Sequence, residues 1–525
     1  MSSALADSAI AEPRIEAVAP SHRFSFTALF SRYQLALLLL VATIWMARSP
    51  YSASNLEVPP DSVEYALAPV QVIETGHYQI MIEGRGLPPR YPPWFPLTVI
   101  LPVYAVLGAE PGNAIIGITF MAVAGVGIAW AIGRRIGGSV GGILAGLGVL
   151  ALPAYCGWAT QVMSDVPCTA LILGGCWLFL RIRARGASIQ LLAFGGAGCL
   201  IAMAALFRPV SAAMLLPFAV AAIAPWNFRR ALARMTGLVF PMLGAAAATF
   251  SYNKATFGSP LRNGYHFWSW TQSTPLQDFF SFSSVGLNGQ MLLRTGLPML
   301  LVICLIVEIG LRRSNSSARK EAAGPLRDLI FFVAAAGIPM LIFHLFYTYP
   351  SDRFFLPILT GTAIIAGSLL GLRWDGKHQR AIGTVLAALL PLVALARIGV
   401  PDPVPQRRVA ADTIRENTPA DAVIVSAIDP VFLEQRAARH STRRIVPLSR
   451  EVEYTRAVTG AQNHYIIPFV ATEQIDELVD EARKGRRIFL DTSAVNEEDS
   501  EAFNLVNSRF RLSRTAPALY ELTPL

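Results

Sequence analysis

The stretch that decides the fold is NLEVPPDSVEYALAPVQVIETGHYQIMIEGRGLPPRYPPWFP, residues 55–96. It follows the first strongly apolar segment and carries a density of carboxylates that is unusual in so hydrophobic a chain: Glu57, Asp61, Glu64, Glu74 and Glu83. Two arginines, several aromatic rings and repeated prolines accompany them. Most of the sequence from this stretch to residue 400 is apolar. We therefore expect a polar, chemically active loop that lies against a membrane surface, with the later apolar segments packed beneath and around it.

The composition places the chain among polytopic membrane proteins. Of its 525 residues, 53% are hydrophobic and 15% are charged, and the mean hydropathy is +0.45, which excludes an intrinsically disordered chain. Residues 1–400 contain 28 Lys and Arg against 16 Asp and Glu, whereas residues 401–525 contain 16 against 19. The basic excess therefore lies in the membrane part, where it signals topology rather than nucleic-acid binding. The five cysteines show no metal-ligand spacing and are interpreted as packing residues.

The number of membrane spans follows from segment length and from the basic clusters. A helix needs about 17–25 apolar residues to cross the hydrocarbon core, and eleven segments qualify: 33–49, 112–133, 138–157, 166–183, 189–206, 209–225, 235–251, 290–311, 328–347, 354–372 and 381–399. A further run, 94–108, is shorter and contains two prolines. If it does not span, every basic cluster between the spans falls on the side of the amino terminus, as cytoplasmic loops require. We therefore interpret 94–108 as a re-entrant or interface-lying helix.

Three regions result from this topology. Residues 1–32 are predicted to be a cytoplasmic leader, 33–400 a transmembrane domain with an outward catalytic loop at 50–111, and 401–525 an extracytoplasmic α/β domain. The last region shows two helix patterns, at 409–417 and 472–485, and four strand patterns, at 421–427, 443–448, 486–493 and 517–523. It has no phosphate-binding glycine loop, so we expect it to support or gate rather than catalyse. The predicted fold class is mostly α and polytopic, with about 11 transmembrane helices and this C-terminal domain.

Two carboxylates of the first loop have the position of helix-capping residues. Asp61 follows a double proline and precedes VEYALAPVQVIETG, so it is either an N-cap or a general base that takes a proton from an acceptor during group transfer. Glu64 lies three residues later on the same helical face, which favours a capping-box partner over a second acid.

Other charged residues lie at the predicted outer ends of spans. Asp165 precedes Pro167 and either caps its helix or joins Asp61 in a site. Arg208 and Arg353 are single cations at the ends of otherwise apolar spans. Each either binds a lipid phosphate or extends its side chain to the lipid headgroups. For Arg353, an ion pair with Asp352 is a further alternative.

Histidines and aromatic residues leave further alternatives open. His77, His266 and His344 lack ligand spacing, so no metal site is predicted, although the sequence leaves room for a divalent metal. The loop at 252–272 is rich in aromatic rings, which either anchor it at the membrane interface or line a groove for a lipid or sugar.

In sum, the chain resembles the polytopic GT-C glycosyltransferases, in particular the bacterial branch similar to protein O-mannosyltransferases and the lipid A aminoarabinose transferase, of the family 39 type. The motifs that carry this resemblance are short, and their order spans most of the chain: Asp61 with EYA at 64–66, GHY at 76–78, YPPWFP at 91–96, GRR at 133–135, Asp165 before Pro167, YN and FGSPL within 252–265, and DRFFLPIL at 352–359. Where the family has two adjacent acids, this chain has Ser62 after Asp61. It also has Arg90 and Tyr91 before its double proline, where the aminoarabinose enzyme has an acidic and a basic residue.

The resemblance implies an inverting glycosyltransferase of the bacterial inner membrane that uses a polyprenyl-phosphate sugar donor. It implies that Asp61 is the general base and Asp165 a second catalytic acid. The residues implied to bind substrate are Glu64, Tyr65, Arg90, Tyr91, Arg208, Tyr265 and Arg353. The acceptor, whether lipid, glycan or protein, is not specified, and membrane lipids are the other expected partners.

Two other classes of protein compete with this interpretation. A lipid or sugar transporter or flippase would place charges in mid-membrane and show repeated halves with broken helices, whereas the acids here cluster near one predicted face. A scaffold whose C-terminal domain binds a partner would not need the carboxylates of the first loop.

Overall fold

The computed structural model describes most of the chain. Described are residues 26–49, 52–56, 61–82, 85–182, 187–223, 228–267, 280–313, 317–348, 350–374, 376–395, 406–439, 441–448, 457–459, 463–465 and 472–525. Most of the predicted leader, Glu57, Glu83, the domain boundary at 396–405 and the part of the aromatic loop from 268 lie outside these residues.

The amino-terminal three quarters of the described chain are helical, and a helix occupies each of the eleven predicted spans. These helices and the short ones between them are α1 Phe26–Met46, α2 Asp61–Thr75, α3 Leu101–Leu107, α4 Ala114–Leu150, α5 Pro153–Ala159, α6 Asp165–Ile182, α7 Ala187–Phe207, α8 Leu215–Ile223, α9 Phe228–Phe257, α10 Gly264–Phe267, α11 Ser283–Arg294, α12 Leu297–Arg313, α13 Ser317–Leu345, α14 Leu356–Gly371 and α15 Gly376–Leu395. A two-stranded antiparallel ribbon, β1 Ile80–Ile82 with β2 Arg85–Leu87, follows α2.

By length and composition alone, four described helical stretches are able to cross a membrane: Pro111–Leu150, Phe228–Phe257, Ala322–Leu345 and Asp352–Gly371. The pair α11 and α12, bent by 58°, is a fifth if it is counted as one span. Other predicted spans correspond to shorter apolar helices, among them Leu192–Phe207 and Pro209–Ile223. The figure of 11 spans therefore stays a prediction.

Helix α4 contains two of the predicted spans, because it is broken at Gly137 and Gly138. Gly138 has φ +66°, which only glycine adopts readily. Beyond the break the chain doubles back: a Cβ on Gly133 would lie 2.5 Å from the carbonyl oxygen of Gly141. Glycines also let α14 pack closely against α4, since a Cβ on Gly371 would lie 2.3 Å from the carbonyl oxygen of Gly137. Small residues at helix contacts are the usual means of close packing in membranes.

The run at 94–108 forms a π-helical turn, Pro96–Ile100, that continues into α3. Twelve helical residues rise only about 18 Å, well short of the roughly 30 Å core. The segment packs against α2 and α4, and its buried Tyr104 hydroxyl donates to the carbonyl oxygen of Ala66 at 2.8 Å. These contacts agree with a non-spanning helix that supports the first loop.

The C-terminal region contains helices on a five-stranded mixed sheet. Its helices are α16 Gln406–Asn417, α17 Pro430–Leu433, α18 Thr472–Arg483 and α19 Ser500–Arg509. Its strands are β3 Val423–Ser426, β4 Arg444–Pro447, β7 Ile488–Asp491, β8 Phe510–Ala516 and β9 Leu519–Pro524, in the order β4-β3-β7-β9-β8, while β5 Ala457–Thr459 and β6 Asn463–Tyr465 form a separate ribbon. Strand β3 runs parallel to β4 and β7. Every predicted helix and strand of this domain is present, and the sequence analysis missed α17, α19, β5, β6 and β8.

Candidate active site

Asp61 begins α2, where a carboxylate interacts favourably with the helix dipole. Its Oδ1 accepts a hydrogen bond from the hydroxyl of Tyr91, and its Oδ2 lies 3.3 Å from Nη1 of Arg353. The side chain keeps 15% of its surface exposed, and that of Arg353 keeps 17%. Asp61 is therefore paired but still accessible to a ligand.

Asp165 begins α6 and forms an ion pair with Arg208, which follows α7. Its side chain is 2% exposed, and its Oδ2 is buried with no hydrogen-bond partner among the described residues. Arg353 pairs with Asp61 and lines the smaller cavity together with Asp165 and Arg208. It therefore lies in the field of both acids, and a guanidinium group keeps its charge in proteins.

Glu64 and Arg90 form a third acid–arginine pair behind the first two. Glu64 Oε2 accepts from the backbone N–H of Arg90 at 2.8 Å, and Glu64 Oε1 accepts from its Nε at 3.2 Å. The two side chains are 0% and 5% exposed. Glu64, predicted as a capping partner or a second acid, thus fixes the loop that carries Tyr91.

A cavity of about 340 Å³ joins these groups. Of the predicted site residues it is lined by Asp61, Tyr65, Arg90, Tyr91, Arg208, Tyr265 and Arg353. A smaller adjoining cavity reaches Asp165, and Glu64 contacts the site through Arg90. The predicted residues, scattered over almost 300 positions of sequence, are thus brought to one place.

Three tyrosines form one wall of the cavity. The ring centroids of Tyr65 and Tyr91 are 4.6 Å apart, and those of Tyr91 and Tyr265 are 5.7 Å apart. Burial first, and then the carboxylate of Asp61, raises the pKa of Tyr65 and Tyr91 well above the usual value and that of Tyr265 to about 12. All three hydroxyls therefore remain protonated at neutral pH.

Sequence reasoning missed the aromatic platform under the two arginines. The guanidinium groups of Arg208 and Arg353 lie 5.3 and 5.1 Å from the ring of Phe354, within cation–π range. Trp158 contacts Arg353 from another side at 5.3 Å and donates its Nε1–H to Asp352 at 2.7 Å. Asp352, the alternative partner considered for Arg353, is thus bound to Trp158.

The three histidines do not converge. His344 lines the cavity and stacks on Phe354 with ring centroids 4.6 Å apart. His77 is exposed and binds the carbonyl oxygen of Thr75, and His266 contacts Asn263. The sequence could have indicated His344 as a site residue, because it lies about one helical turn before the predicted outer end of its span, close to the DRFF motif at 352–355.

The residues of the cavity do not fit a divalent metal ion. Among the described residues, no group of three or more His, Cys, Asp or Glu side chains is placed to hold one. Asp61 and Asp165 each face an arginine, and two guanidinium groups oppose a cation at this position.

Known proteins resemble the chain in part of its sequence and in its fold. Residues 92–252 match the family model described as dolichyl-phosphate-mannose-protein mannosyltransferase. The fold matches the crystal structure of ArnT from Cupriavidus metallidurans in the apo state, with a TM-score of 0.60 and 13% identity over 95% of this chain and 97% of that one. The chain therefore has the GT-C membrane fold. The family match includes Asp165 and Arg208 and begins one residue after Tyr91.

Two further comparisons complete the picture. The ArnT structure from the same organism bound to undecaprenyl phosphate matches with a TM-score of 0.54, again at 13% identity over 95% of this chain and 97% of that one. No curated protein sequence matches the chain. The predicted fold class is confirmed, and the family match over residues 92–252 agrees with the predicted glycosyltransferase. The roles of individual site residues stay predictions.

Proposed function

We propose that the protein moves a sugar from a polyprenyl-phosphate donor to an acceptor on the outer face of the inner membrane, with inversion at the anomeric carbon. The observation that carries the proposal is the convergence of Asp61, Arg208 and Arg353 on one cavity. In this cavity an accessible carboxylate lies beside two guanidinium groups, and aromatic rings line the walls.

The arginines suit the phosphate of the donor. A guanidinium group presents N–H donors in a fork that matches phosphate oxygens. Arg353 uses Nη1 for Asp61, whereas its buried Nε has no hydrogen-bond partner among the described residues. The ArnT structure with undecaprenyl phosphate, which shares this fold, supports a lipid phosphate as the natural occupant.

Asp61 acts as the general base in the proposed reaction. It takes the proton from an acceptor hydroxyl or amine while the acceptor attacks the anomeric carbon from the face opposite the phosphate. The bond between that carbon and the phosphate oxygen breaks, and its electron pair leaves with the polyprenyl phosphate. Arg208 and Arg353 stabilise the charge that develops on this leaving group, while Asp165 holds Arg208 in place.

The test is a transfer assay with the purified protein in liposomes and a panel of polyprenyl-phosphate sugars. We expect one donor to be consumed, with release of polyprenyl phosphate in proportion to glycosylated acceptor. A transporter or flippase would instead move the sugar lipid across the bilayer with the sugar–phosphate bond intact. Bilayer crossing without bond cleavage for every donor would contradict the proposal.

The proposed orientation is tested separately. We propose that the amino terminus is cytoplasmic and the C-terminal domain extracytoplasmic, so a reporter that is active only outside the cytoplasm should be active when fused after Leu525. A reporter active only in the cytoplasm at that position would place the cavity on the wrong face for the proposed reaction.

A further inference from the structure

Two chemically different groups of side chains line the cavity. The first contains Arg208, Arg353 and the ring of Phe354 that both guanidinium groups contact, and it is the part proposed to bind the donor phosphate. The second comes from the end of α9 and from the segment that leads into α10. It consists of Thr249, Tyr252, Asn253, Asn263, Gly264 and Tyr265. Its side chains are uncharged hydroxyl, amide and aromatic groups, which offer hydrogen bonds and apolar surface to a polar but neutral ligand.

The turn between α9 and α10 is fixed in place against the first loop. A Cβ on Gly264 would lie 2.3 Å from the carbonyl oxygen of Arg90, so the absence of a side chain lets the two backbones approach. At the other side of the turn, Nδ2 of the buried Asn253 donates to the carbonyl oxygen of Pro260 at 3.1 Å. Asn263, the residue before Gly264, is thereby held at the cavity next to the first loop.

The side-chain amide of Asn263 has a fixed orientation. Its Oδ1 accepts from the backbone N–H of His266 at 3.2 Å, and Nδ1 of the His266 ring lies 2.7 Å from the same oxygen. The oxygen is therefore committed to the protein. The Nδ2 of Asn263, which carries two N–H donors, has no hydrogen-bond partner among the described residues. Asn263 thus lines the cavity with two donors available to a ligand.

The charges around the cavity disfavour a cationic sugar. Among the described residues that line it, Asp61 is the single carboxylate, and it already binds Tyr91 and Arg353. Arg90 and Arg208 line the same cavity. Like charges repel more strongly where water is partly excluded, so the ammonium group of an amino sugar would meet three guanidinium groups and no uncommitted carboxylate. A neutral sugar meets neither obstacle.

We infer that the donor carries a neutral sugar, and that Asn263 is a specificity-determining residue whose Nδ2 donates to one of its hydroxyl groups. The inference rests on the proposed function, because it takes the arginines as the phosphate site. The sugar is covalently attached to that phosphate and therefore has to occupy the same cavity of about 340 Å³. This volume lies within the range of pockets that enclose small ligands. The uncharged groups from α9 and α10 are the part of the cavity left to the sugar.

The first test needs no variant. Polyprenyl phosphates that carry glucose, mannose or arabinose are compared with donors in which an amino group replaces the 4-hydroxyl of the same sugar. The native protein in liposomes should use the best neutral donor with a kcat/KM about tenfold or more above that of its amino counterpart. The matched pairs share the lipid and the phosphate, so the ratio reports on the sugar alone.

The second test is Asn263→Asp, which keeps an oxygen for both contacts with His266 and replaces the available Nδ2 by a carboxylate oxygen. The ratio of kcat/KM for the neutral donor to that for its amino counterpart should fall by about tenfold or more, because the new charge attracts an ammonium group. Binding of bare polyprenyl phosphate should stay within twofold. The matched control is Asn113→Asp, whose Nδ2 donates to the carbonyl oxygens of Leu107 and Gly108 away from the cavity. It should leave the ratio at the native value.

Three results would overturn the inference: a native preference for the amino donors, an unchanged ratio in Asn263→Asp, and a loss of bare polyprenyl phosphate binding in that variant. A change in the acceptor KM with the donor ratio unchanged would assign these groups to the acceptor instead. If the native protein binds the donors but transfers no sugar, the proposed function fails. The same ratios, measured as dissociation constants, then still decide whether Asn263 selects a neutral sugar.

Discussion

Asp61 and Glu64 lie one helical turn apart on α2, and each is paired with an arginine, yet their surroundings differ. The Glu64–Arg90 pair is sealed, with side chains 0% and 5% exposed. The Asp61–Arg353 pair opens on the cavity, with side chains 15% and 17% exposed. A carboxylate with both oxygens committed to a buried partner cannot exchange that partner for substrate, whereas an accessible one can. Burial thus separates the acid that holds the loop from the acid that is able to react.

The strongest test of this contrast is Asp61→Asn. Loss of a general base costs typically about 10²–10⁴-fold in rate, and we expect a fall in kcat of that order with polyprenyl-phosphate sugar and saturating acceptor. The fold should survive, because the amide can still accept from Tyr91 and asparagine is favoured at the start of a helix. A variant that keeps its Tm and its kcat would show that another group takes the proton.

Glu64→Gln should have the opposite profile. Removing one charge of a buried pair leaves the other uncompensated and destabilises by about 3–5 kcal/mol, so we expect a clear fall in Tm measured in detergent. The transfer rate per folded molecule should drop much less than in Asp61→Asn. If Tm is unchanged and the rate collapses, Glu64 takes part in the chemistry as a second acid.

Residue type and segment boundaries were enough to predict part of the site from sequence. Asp61 and Asp165 were found because each stands at the start of a helix next to a predicted span boundary, and Arg208 and Arg353 because isolated cations are rare there. The sequence could not predict which acid pairs with which arginine, since Asp61 and Arg353 are 292 positions apart. Only the packing of the helices selects Asp61 over the neighbouring Asp352, whose carboxylate accepts from Trp158 instead.

The same limit applies to the C-terminal domain. Its strands were predicted because four β-branched and aromatic runs alternate with helical periodicity, a local property of the sequence. Its contact with α2 was not, because Val63 and Leu67 look the same in sequence whether they pack on membrane helices or on another domain. Asp429, standing before Pro430, has the pattern of an ordinary helix cap, and nothing in the sequence shows that the helix it caps, α17, packs against α2.

Tyr91→Phe should have an intermediate effect, since it links the sealed pair to the open one. The variant keeps the ring between Tyr65 and Tyr265 and loses only the hydroxyl that donates to Asp61. A hydrogen bond to a charged group is worth about 1.5–3 kcal/mol, which corresponds to a loss of roughly 10–100-fold in kcat/KM.

Because burial holds the pKa of Tyr91 well above its usual value, the hydroxyl donates throughout the working pH range. The ratio of native to variant rates should therefore stay constant from pH 7 to pH 9. A ratio that changes with pH would show that Tyr91 itself titrates during the reaction.

The smallest effect on transfer is expected for Arg353→Lys. Comparison with Arg90→Lys distinguishes the pair that opens on the cavity from the sealed pair. Lysine keeps the charge and loses the fork that matches phosphate oxygens, so Arg353→Lys should raise the donor KM by about tenfold, a free-energy loss of about 1.4 kcal/mol, with little change in Tm. Arg90 also lines the cavity, but its side chain is only 5% exposed and is bound to the buried Glu64. Arg90→Lys should therefore lower Tm and raise the donor KM less than Arg353→Lys does. Titration of the donor and thermal unfolding of both variants measure the two effects side by side. If Arg90→Lys raises the donor KM as much as Arg353→Lys does, the sealed pair also contacts the donor, and the division between holding and reacting acids on α2 is wrong.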